Sequence, residues 1–244
     1  ACADRFVLPP GTQERHTPLK LDPRLIETQV PVDPRGLVVV LHGGGARQAD
    51  VAVSPNQLSV LRMIPIAARV ARAGNRRVAV FRLLNSRRGW DPSHTPVQDV
   101  MWALGRLRER FGDHLPICLI GHSLGGRAAL LSADAEGVRS VVALAPWVYP
   151  DDAQSLDASG RRVLFVHGDR DRVAKLSSAA AVAAVMGRTA DVGFVTVNGG
   201  KHAMLRHGGE FERLTADFAV ATLLGDETDG AIGRVLAGER SIEV

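Results

Sequence analysis

The stretch that decides the fold is PICLIGHSLGGRAALLSA, residues 116–133. Its apolar run ICLIG is typical of a short buried β-strand, and the alanine- and leucine-rich part that follows is typical of a helix. Ser123 stands between the two, bracketed by Gly121 and Gly125. Small residues at these positions permit a sharp strand-to-helix turn, which would present the serine hydroxyl at the carboxyl end of the strand.

The same alternation of apolar runs and helical patterns extends along most of the chain. Further strands are predicted at 36–44, 76–84, 140–147, 162–169 and 192–200, and helices at 58–74, 95–112, 176–186 and about 209–224. Apolar strands separated by amphipathic helices predict an α/β fold with a mostly parallel central sheet and helices on both faces. RFVLPPG (5–11) and HTPLKLDP (16–23) precede this pattern and are expected to form an antiparallel edge.

The length of 244 residues suits one domain, 1–244, with its core at about 30–224. Residues 225–244 are expected to form a terminal helix or a tail. Pro65 predicts that the regular part of helix 58–74 starts or kinks near it. Thr95 is predicted to cap helix 95–112, and Gly112 to end it.

Charge and composition argue against several classes of function. The formal net charge of +4 is spread along the chain, and no nucleic-acid-binding module is recognisable, so no nucleic-acid partner is expected. No uncharged apolar run reaches about 18 residues, so no membrane span is expected. Cys118 lies in an apolar run and is expected to be a buried thiol, with a disulfide to Cys2 as the less favoured alternative. This cysteine usage favours a cytoplasmic protein, with export as the alternative.

A glycine-rich loop, LHGGGAR (41–47), ends the first buried strand. Glycines let a backbone approach a ligand closely and present its N–H groups. The amide of Gly43 or Gly44, together with that of Leu124, is therefore the candidate oxyanion hole. A flexible turn is the alternative interpretation.

Candidate partners for Ser123 follow two later strands. Asp171 in HGDRDRVAK (167–175) is favoured as the carboxylate that orients a histidine, with Asp169 as its competitor. His202 in NGGKHAM (198–204) is the candidate general base. The order Ser, Asp, His, each at the end of a separate strand, is the order expected for a nucleophile elbow of this kind.

With these motifs the chain resembles the α/β-hydrolase superfamily over roughly residues 30–224. Ser123, Asp171 and His202 match the family's nucleophile, acid and base, and HGGG (42–45) matches its oxyanion loop. The pattern is similar to small bacterial carboxylesterases, to dienelactone-hydrolase-like proteins and to the catalytic domains of serine peptidases. Dienelactone hydrolases proper use a cysteine nucleophile, so their reaction is not expected here.

The resemblance implies a serine hydrolase that cleaves carboxylic esters of small to medium acyl groups through an acyl-enzyme. It implies a small-molecule ester substrate and no cofactor or metal. A thioesterase or an amidase or peptidase would use the same residues. A non-catalytic binding protein on a hydrolase fold is the alternative from another class. The sequence carries no signal for an oligomeric state.

The surroundings of the predicted site carry less information. VYPDDAQSLDASGR (148–161) is too short for a cap domain, so an open site is expected. Trp90 and Trp147 are candidates to line a substrate pocket, with ordinary packing as the alternative. Arg87 and Arg88 are expected to be solvated rather than to attract an anionic substrate. The remaining histidines, His42, His122 and His167 among them, are expected to have no proton-transfer role.

Overall fold

The computed structural model describes residues 22–45, 51–154 and 158–244 of the chain. Its strands are β1 Arg24–Gln29, β2 Gly36–Leu41, β3 Val78–Leu84, β4 Ile117–His122, β5 Val138–Leu144, β6 Arg162–Gly168, β7 Asp191–Val197 and β8 Ser241–Glu243. Its α-helices are α1 Leu58–Leu61, α2 Met63–Ala73, α3 Thr95–Phe111, α4 Leu124–Leu131, α5 Leu176–Met186, α6 Gly208–Leu224 and α7 Gly230–Leu236.

Within the described residues the strands form one eight-stranded sheet in the order β1-β3-β2-β4-β5-β6-β7-β8. Only the β1–β3 pairing is antiparallel; the other pairs are parallel. The predicted parallel sheet with an antiparallel edge is therefore confirmed. The edge strand is β1, however. Residues 5–11 lie outside the described residues, and so do residues 16–21 of the other predicted edge stretch.

Helices cover both faces of the sheet because side chains alternate between the faces along each strand. In β4, Leu119 packs with the face covered by α3, α4 and α5, whereas Cys118 and Ile120 pack with the face covered by α2, α6 and α7. Strands that are buried on both sides in this way have continuous apolar sequences. These apolar runs are the pattern from which the strands were predicted.

One helix boundary agrees with the sequence-based prediction, and another differs from it. The predicted helix 58–74 is interrupted at Arg62, so that Pro65 falls in the first turn of α2, where its missing N–H has no helical acceptor to lose. Thr95 is the first residue of α3 rather than its cap. Its backbone N–H donates to the Asp91 carboxylate at 3.1 Å, and its hydroxyl donates to the same group.

After Gly225, which ends α6, the chain forms α7 and then β8. The sequence predicted a terminal helix or a tail; the strand was not predicted. β8 pairs in parallel with β7, with Ile242 opposite Val195 and almost fully buried. It therefore adds a final strand to the sheet beyond the predicted core.

The carboxyl ends of β4, β6 and β7 meet at one edge of the sheet, as they must in parallel strands. Between β5 and β6 the described residues contain one 3-10 helix, Pro150–Gln154, and no cap domain is seen among them. Among the described residues, no helix is both long enough and apolar enough to cross a membrane.

Candidate active site

Ser123 occupies the turn between β4 and α4 with φ 55° and ψ −116°, a backbone conformation that non-glycine residues rarely adopt. Three backbone hydrogen bonds hold it there. The Ser123 N–H donates to the Leu144 carbonyl at 2.9 Å, and its own carbonyl accepts from the amides of Arg127 and Trp147, each at 3.1 Å. The strained turn is thus fixed to both β5 and α4.

Glycine is required at both bracketing positions because backbone atoms of other residues lie very close to them. A Cβ on Gly121 would lie 2.1 Å from the Gly125 carbonyl oxygen. A Cβ on Gly125 would lie 2.5 Å from the carbonyl oxygen of His42. Any side chain at either position would push α4 away from the sheet and displace the serine.

His202 lies on the loop after β7 and bridges Ser123 and Asp171. Its Nε2 is 3.1 Å from the Ser123 Oγ, and its Nδ1 is 2.8 Å from the Asp171 Oδ2. Because a carboxylate only accepts, Nδ1 carries the proton, and the lone pair of Nε2 faces the serine hydroxyl. This arrangement lets the hydroxyl donate to the imidazole.

Asp171 lies just beyond β6, and its side chain is inaccessible to solvent. Oδ1 accepts the backbone N–H groups of Val173 and Ala174 at 2.8 and 2.9 Å. Oδ2 accepts from His202 and lies 3.3 Å from the Nε2 of His167. Burial alone would raise the pKa of Asp171. Hydrogen bonds from the two histidines and from Val173 outweigh it and hold the pKa well below its ordinary value.

Asp169, the competing carboxylate, points elsewhere. It is exposed, and its Oδ1 accepts the backbone N–H of Gly199 at 2.6 Å. Asp171 rather than Asp169 is therefore the carboxylate that contacts His202.

The glycine loop after β2 is held by His42. The Nδ1 of this buried ring donates to the Gly43 carbonyl at 2.6 Å, and its Nε2 accepts the backbone N–H of Asn85 at 3.1 Å. A trans peptide points its N–H away from its C=O. The N–H of Gly44 consequently points away from the His42 ring. A Cβ on Gly44 would lie 2.0 Å from the Arg88 carbonyl oxygen, so this loop also has no room for a side chain.

The amide of Leu124 is the second candidate donor. The first hydrogen bond of α4 runs from the Arg127 amide to the Ser123 carbonyl, so the Leu124 N–H at the helix start has no intrahelical acceptor. Gly44 and Leu124 share the wall of a cavity of about 190 Å³. The lining residues are Gly44, Trp90, Leu124, Arg127, Trp147 and Tyr149.

Arg127 organises the aromatic part of this cavity. Its guanidinium lies 4.1 Å from the ring centroid of Trp90 and 4.8 Å from that of Tyr149. It also makes a two-pronged ion pair with Asp152, at 2.6 and 2.9 Å. The Trp147 Nε1 donates to the Tyr149 hydroxyl at 3.1 Å. These contacts fix the aromatic rings around the cavity.

His122, next to Ser123, is buried against His202. Its Nε2 donates to the His202 carbonyl at 2.9 Å, and the two rings are 4.9 Å apart. Burial, followed by the nearby His202 and Arg62, lowers the pKa of His122 to about 3. His122 is therefore neutral, and its hydrogen bond holds the backbone of His202 in place.

Comparisons with known proteins agree with this architecture. A family model described as the alpha/beta hydrolase family matches residues 110–213, a segment that contains Ser123, Asp171 and His202. The protein has the α/β-hydrolase fold. The resemblance to that superfamily, predicted from the motifs, is confirmed.

Solved structures similar to this α/β-hydrolase fold have low sequence identity to it. Est1E from Butyrivibrio proteoclasticus is 16% identical, with a TM-score of 0.58 over 83% of this chain and 94% of that one. An alpha-beta serine hydrolase homologue from Coxiella burnetii is 20% identical, with a TM-score of 0.57 over 80% and 90%. A monoacylglycerol lipase from Paleococcus ferrophilus is 15% identical, with a TM-score of 0.58 over 84% and 100%. Curated protein sequences give no match.

Within the α/β-hydrolase fold, Ser123, Asp171 and His202 come together. Both candidate tryptophans line the cavity that Gly44 and Leu124 also line. Arg87 and Arg88 are half-buried rather than solvated. Arg87 lies 4.0 Å from the carboxylate of Asp91.

One contact of the site was missed by sequence reasoning: His167, on β6, is fully buried beside Asp171. The spacing of four residues between the two was visible, but nothing in it indicated which way either side chain points. Among the described residues, no group of three or more His, Cys, Asp or Glu side chains is arranged to hold a metal ion.

Proposed function

We propose that the protein is a serine hydrolase that cleaves carboxylic esters of small to medium acyl groups. The observation that carries the proposal is the continuous chain of hydrogen bonds from Ser123 through His202 to Asp171, at 3.1 and 2.8 Å. The family match supports a hydrolase, and the names of the similar structures, an esterase and a monoacylglycerol lipase among them, favour esters.

In the acylation step the Ser123 Oγ forms a bond to the ester carbonyl carbon while its proton passes to the Nε2 of His202. Asp171 keeps the Nδ1 proton in place and stabilises the imidazolium that forms. The carbonyl π electrons move to oxygen and create an oxyanion. When the tetrahedral intermediate collapses, the bond to the leaving alcohol breaks and the alcohol takes the proton from Nε2.

The amides of Gly44 and Leu124 are the proposed oxyanion donors. Of the two predicted glycines, Gly44 is favoured because its N–H points away from the His42 ring and it lines the cavity beside Leu124. Preorganised amides stabilise the developing charge because they need no reorientation during the reaction.

Deacylation repeats the same steps with water. His202 accepts a proton from water as the water oxygen attacks the acyl carbon, and the Ser123 oxygen leaves with a proton from His202.

The aromatic cavity is the proposed acyl site, and its size favours the small end of the acyl range. Its volume of about 190 Å³ is below the roughly 300 Å³ at which typical ligand pockets begin. A series of p-nitrophenyl esters should therefore show falling kcat/KM from butyrate to octanoate. A rate that rises with chain length would contradict the assignment of this cavity.

A fluorophosphonate probe tests the proposal directly. The intact protein should gain the mass of one phosphonyl group, and Ser123→Ala should gain none and lose p-nitrophenyl acetate turnover. Ser177→Ala, which removes an exposed hydroxyl from α5, is the matched control and should be labelled normally. An unlabelled wild-type protein, beside a labelled reference esterase, would reject the proposal.

A further inference from the structure

Arg62, at the break between α1 and α2, is a half-buried cation without a partner among the described residues. Its Nε is buried and has no hydrogen bond, and its guanidinium takes part in no ion pair with the described residues. Burial lowers the pKa of Arg62, but an arginine stays charged at any pH at which proteins are folded.

Such an arrangement is unfavourable in the free protein. Buried polar groups are nearly always hydrogen-bonded, and a partly desolvated charge without a counter-ion reduces stability. Two other half-buried arginines are paired: Arg127 with Asp152, and Arg87 with Asp91. Arg62 differs from these two in having no anionic partner among the described residues.

The guanidinium borders a groove that contains the proposed general base. The groove has a volume of about 780 Å³. Its lining residues are Arg62, Asp169, Arg170, Asp171, Arg172, Val173, Lys201, His202 and Ala203.

The groove carries an excess of positive charge. The side chains of Arg170, Arg172 and Lys201 are exposed and make no ion pair with described residues. Of its two carboxylates, Asp171 is taken up by His202, and Asp169 accepts the amide of Gly199. A field of one sign in a concave site attracts ligands of the opposite charge.

The position of the groove identifies the part of the substrate that it would receive. In the proposed reaction His202 protonates the leaving alcohol, so this alcohol must lie beside the imidazole. His202 lines the groove, whereas Gly44 and Leu124 line the aromatic cavity. The alcohol portion of the ester would then extend toward Arg62, and the acyl portion toward the aromatic rings.

We propose that Arg62 is a specificity-determining residue that binds a carboxylate or phosphate on the alcohol portion of the ester. This inference rests on the proposed esterase function and deepens it, because it assigns the substrate class: esters whose leaving alcohol carries an anionic group. Arg170, Arg172 and Lys201 supply the surrounding positive field, and Arg62 supplies the buried contact.

The test compares three acetate esters of phenols: 4-acetoxybenzoate, its neutral counterpart 4-acetoxybenzamide, and 4-acetoxyphenyl phosphate. The measured quantity is the ratio of kcat/KM for each anionic ester to kcat/KM for the amide. Comparing this ratio between variants cancels the intrinsic reactivity of the esters and any general loss of activity.

Arg62→Gln should lower the ratio for at least one anionic ester about tenfold, because a charge-assisted hydrogen bond is lost. Arg62→Lys, which keeps the charge but not the fork of donors, should retain part of the preference. Arg72→Gln is the matched control, since it removes the same charge from an exposed position of α2 outside the groove, and it should leave the ratio unchanged.

A salt titration of the unmodified protein gives a second measurement that does not depend on a folded variant. Raising NaCl from about 0.05 to about 0.5 M should lower the ratio, because salt screens charge interactions. The comparison of the two anionic esters then tells whether a carboxylate or a phosphate is preferred, and either preference supports the proposal.

Two results would overturn it and are distinguishable. Ser123-dependent turnover of 4-acetoxybenzamide with an unchanged ratio in Arg62→Gln would reject the anion subsite alone. Absence of any Ser123-dependent turnover would reject the proposed function, and the subsite with it.

Discussion

Replacing Asp171 by asparagine removes one acceptor from a site where three hydrogen-bond donors and the His167 ring converge. Oδ1 accepts the amides of Val173 and Ala174, and Oδ2 faces His202 and His167. Asparagine has a single oxygen, so it can satisfy only one of these pairs. The backbone amides cannot turn away, and we expect the oxygen to stay with them while the NH₂ group faces the two rings.

The consequence for the proposed base is a change of tautomer. An NH₂ group that donates to the Nδ1 of His202 moves the ring proton to Nε2, where it faces Ser123 as a donor and cannot accept the hydroxyl proton. Loss of the correct tautomer in a serine triad lowers kcat by about 10⁴-fold, or about 5 kcal/mol of transition-state stabilisation. We therefore expect Asp171→Asn to reduce p-nitrophenyl acetate turnover by about this factor.

Asp169→Asn is the matched control, two residues earlier in the same loop. Its carboxylate is exposed and accepts one backbone amide, from Gly199, which an asparagine oxygen can still accept. Its kcat should remain close to that of the unmodified protein. Equal losses in the two variants, or an Asp171→Asn enzyme that keeps a tenth of its activity, would refute the assigned role of Asp171.

Three further predictions follow from contacts in and around the site. Gly44→Ala should lower kcat about 100-fold, since its Cβ would lie 2.0 Å from the Arg88 carbonyl oxygen and displace the proposed oxyanion donor. Gly45→Ala, with its Cβ 3.9 Å from the nearest atom, should not lower kcat. Similar losses in both variants would contradict this prediction. Ser123→Gly should melt at a higher temperature than Ser123→Ala, because glycine relieves about 1 kcal/mol of backbone strain at φ 55°. Equal melting temperatures of the two variants would show that the turn is unstrained. Burial raises the pKa of Cys118 to about 12, so its thiol should not react with iodoacetamide at pH 8 in the folded protein. Peptide mapping should find Cys118 unmodified until the protein is unfolded. Rapid labelling of the native protein would refute this prediction.

The order of strands and helices could be predicted from the sequence because buried parallel strands leave continuous apolar runs. The runs around Val39, Leu119 and Phe165 are strands in the structure. β8 could not be predicted in this way. It has three residues, of which only Ile242 is buried, so neither its length nor its pattern distinguishes it from a loop.

The candidate site was predictable to the extent that its residues stand at strand ends. Parallel strands bring their carboxyl ends together, so Ser123, Asp171 and His202 were expected to meet, and their catalytic roles stay predictions. Two features were not predictable: the buried contact of His167 with Asp171, and the lack of an ion-pair partner for Arg62 among the described residues. Both depend on side-chain directions and on packing between elements far apart in sequence, which a one-dimensional pattern does not contain.

The buried histidines His42 and His122 affect the pH range in which the fold is stable. Burial lowers the pKa of His42 and lowers that of His122 to about 3. Below the ordinary histidine pKa of about 6.5, the unfolded chain takes up protons that the folded protein excludes. Each histidine then costs about 1.4 kcal/mol of stability per pH unit until its own folded pKa is reached. Acidification thus weakens the native state through the same rings that hold the glycine loop and the His202 backbone.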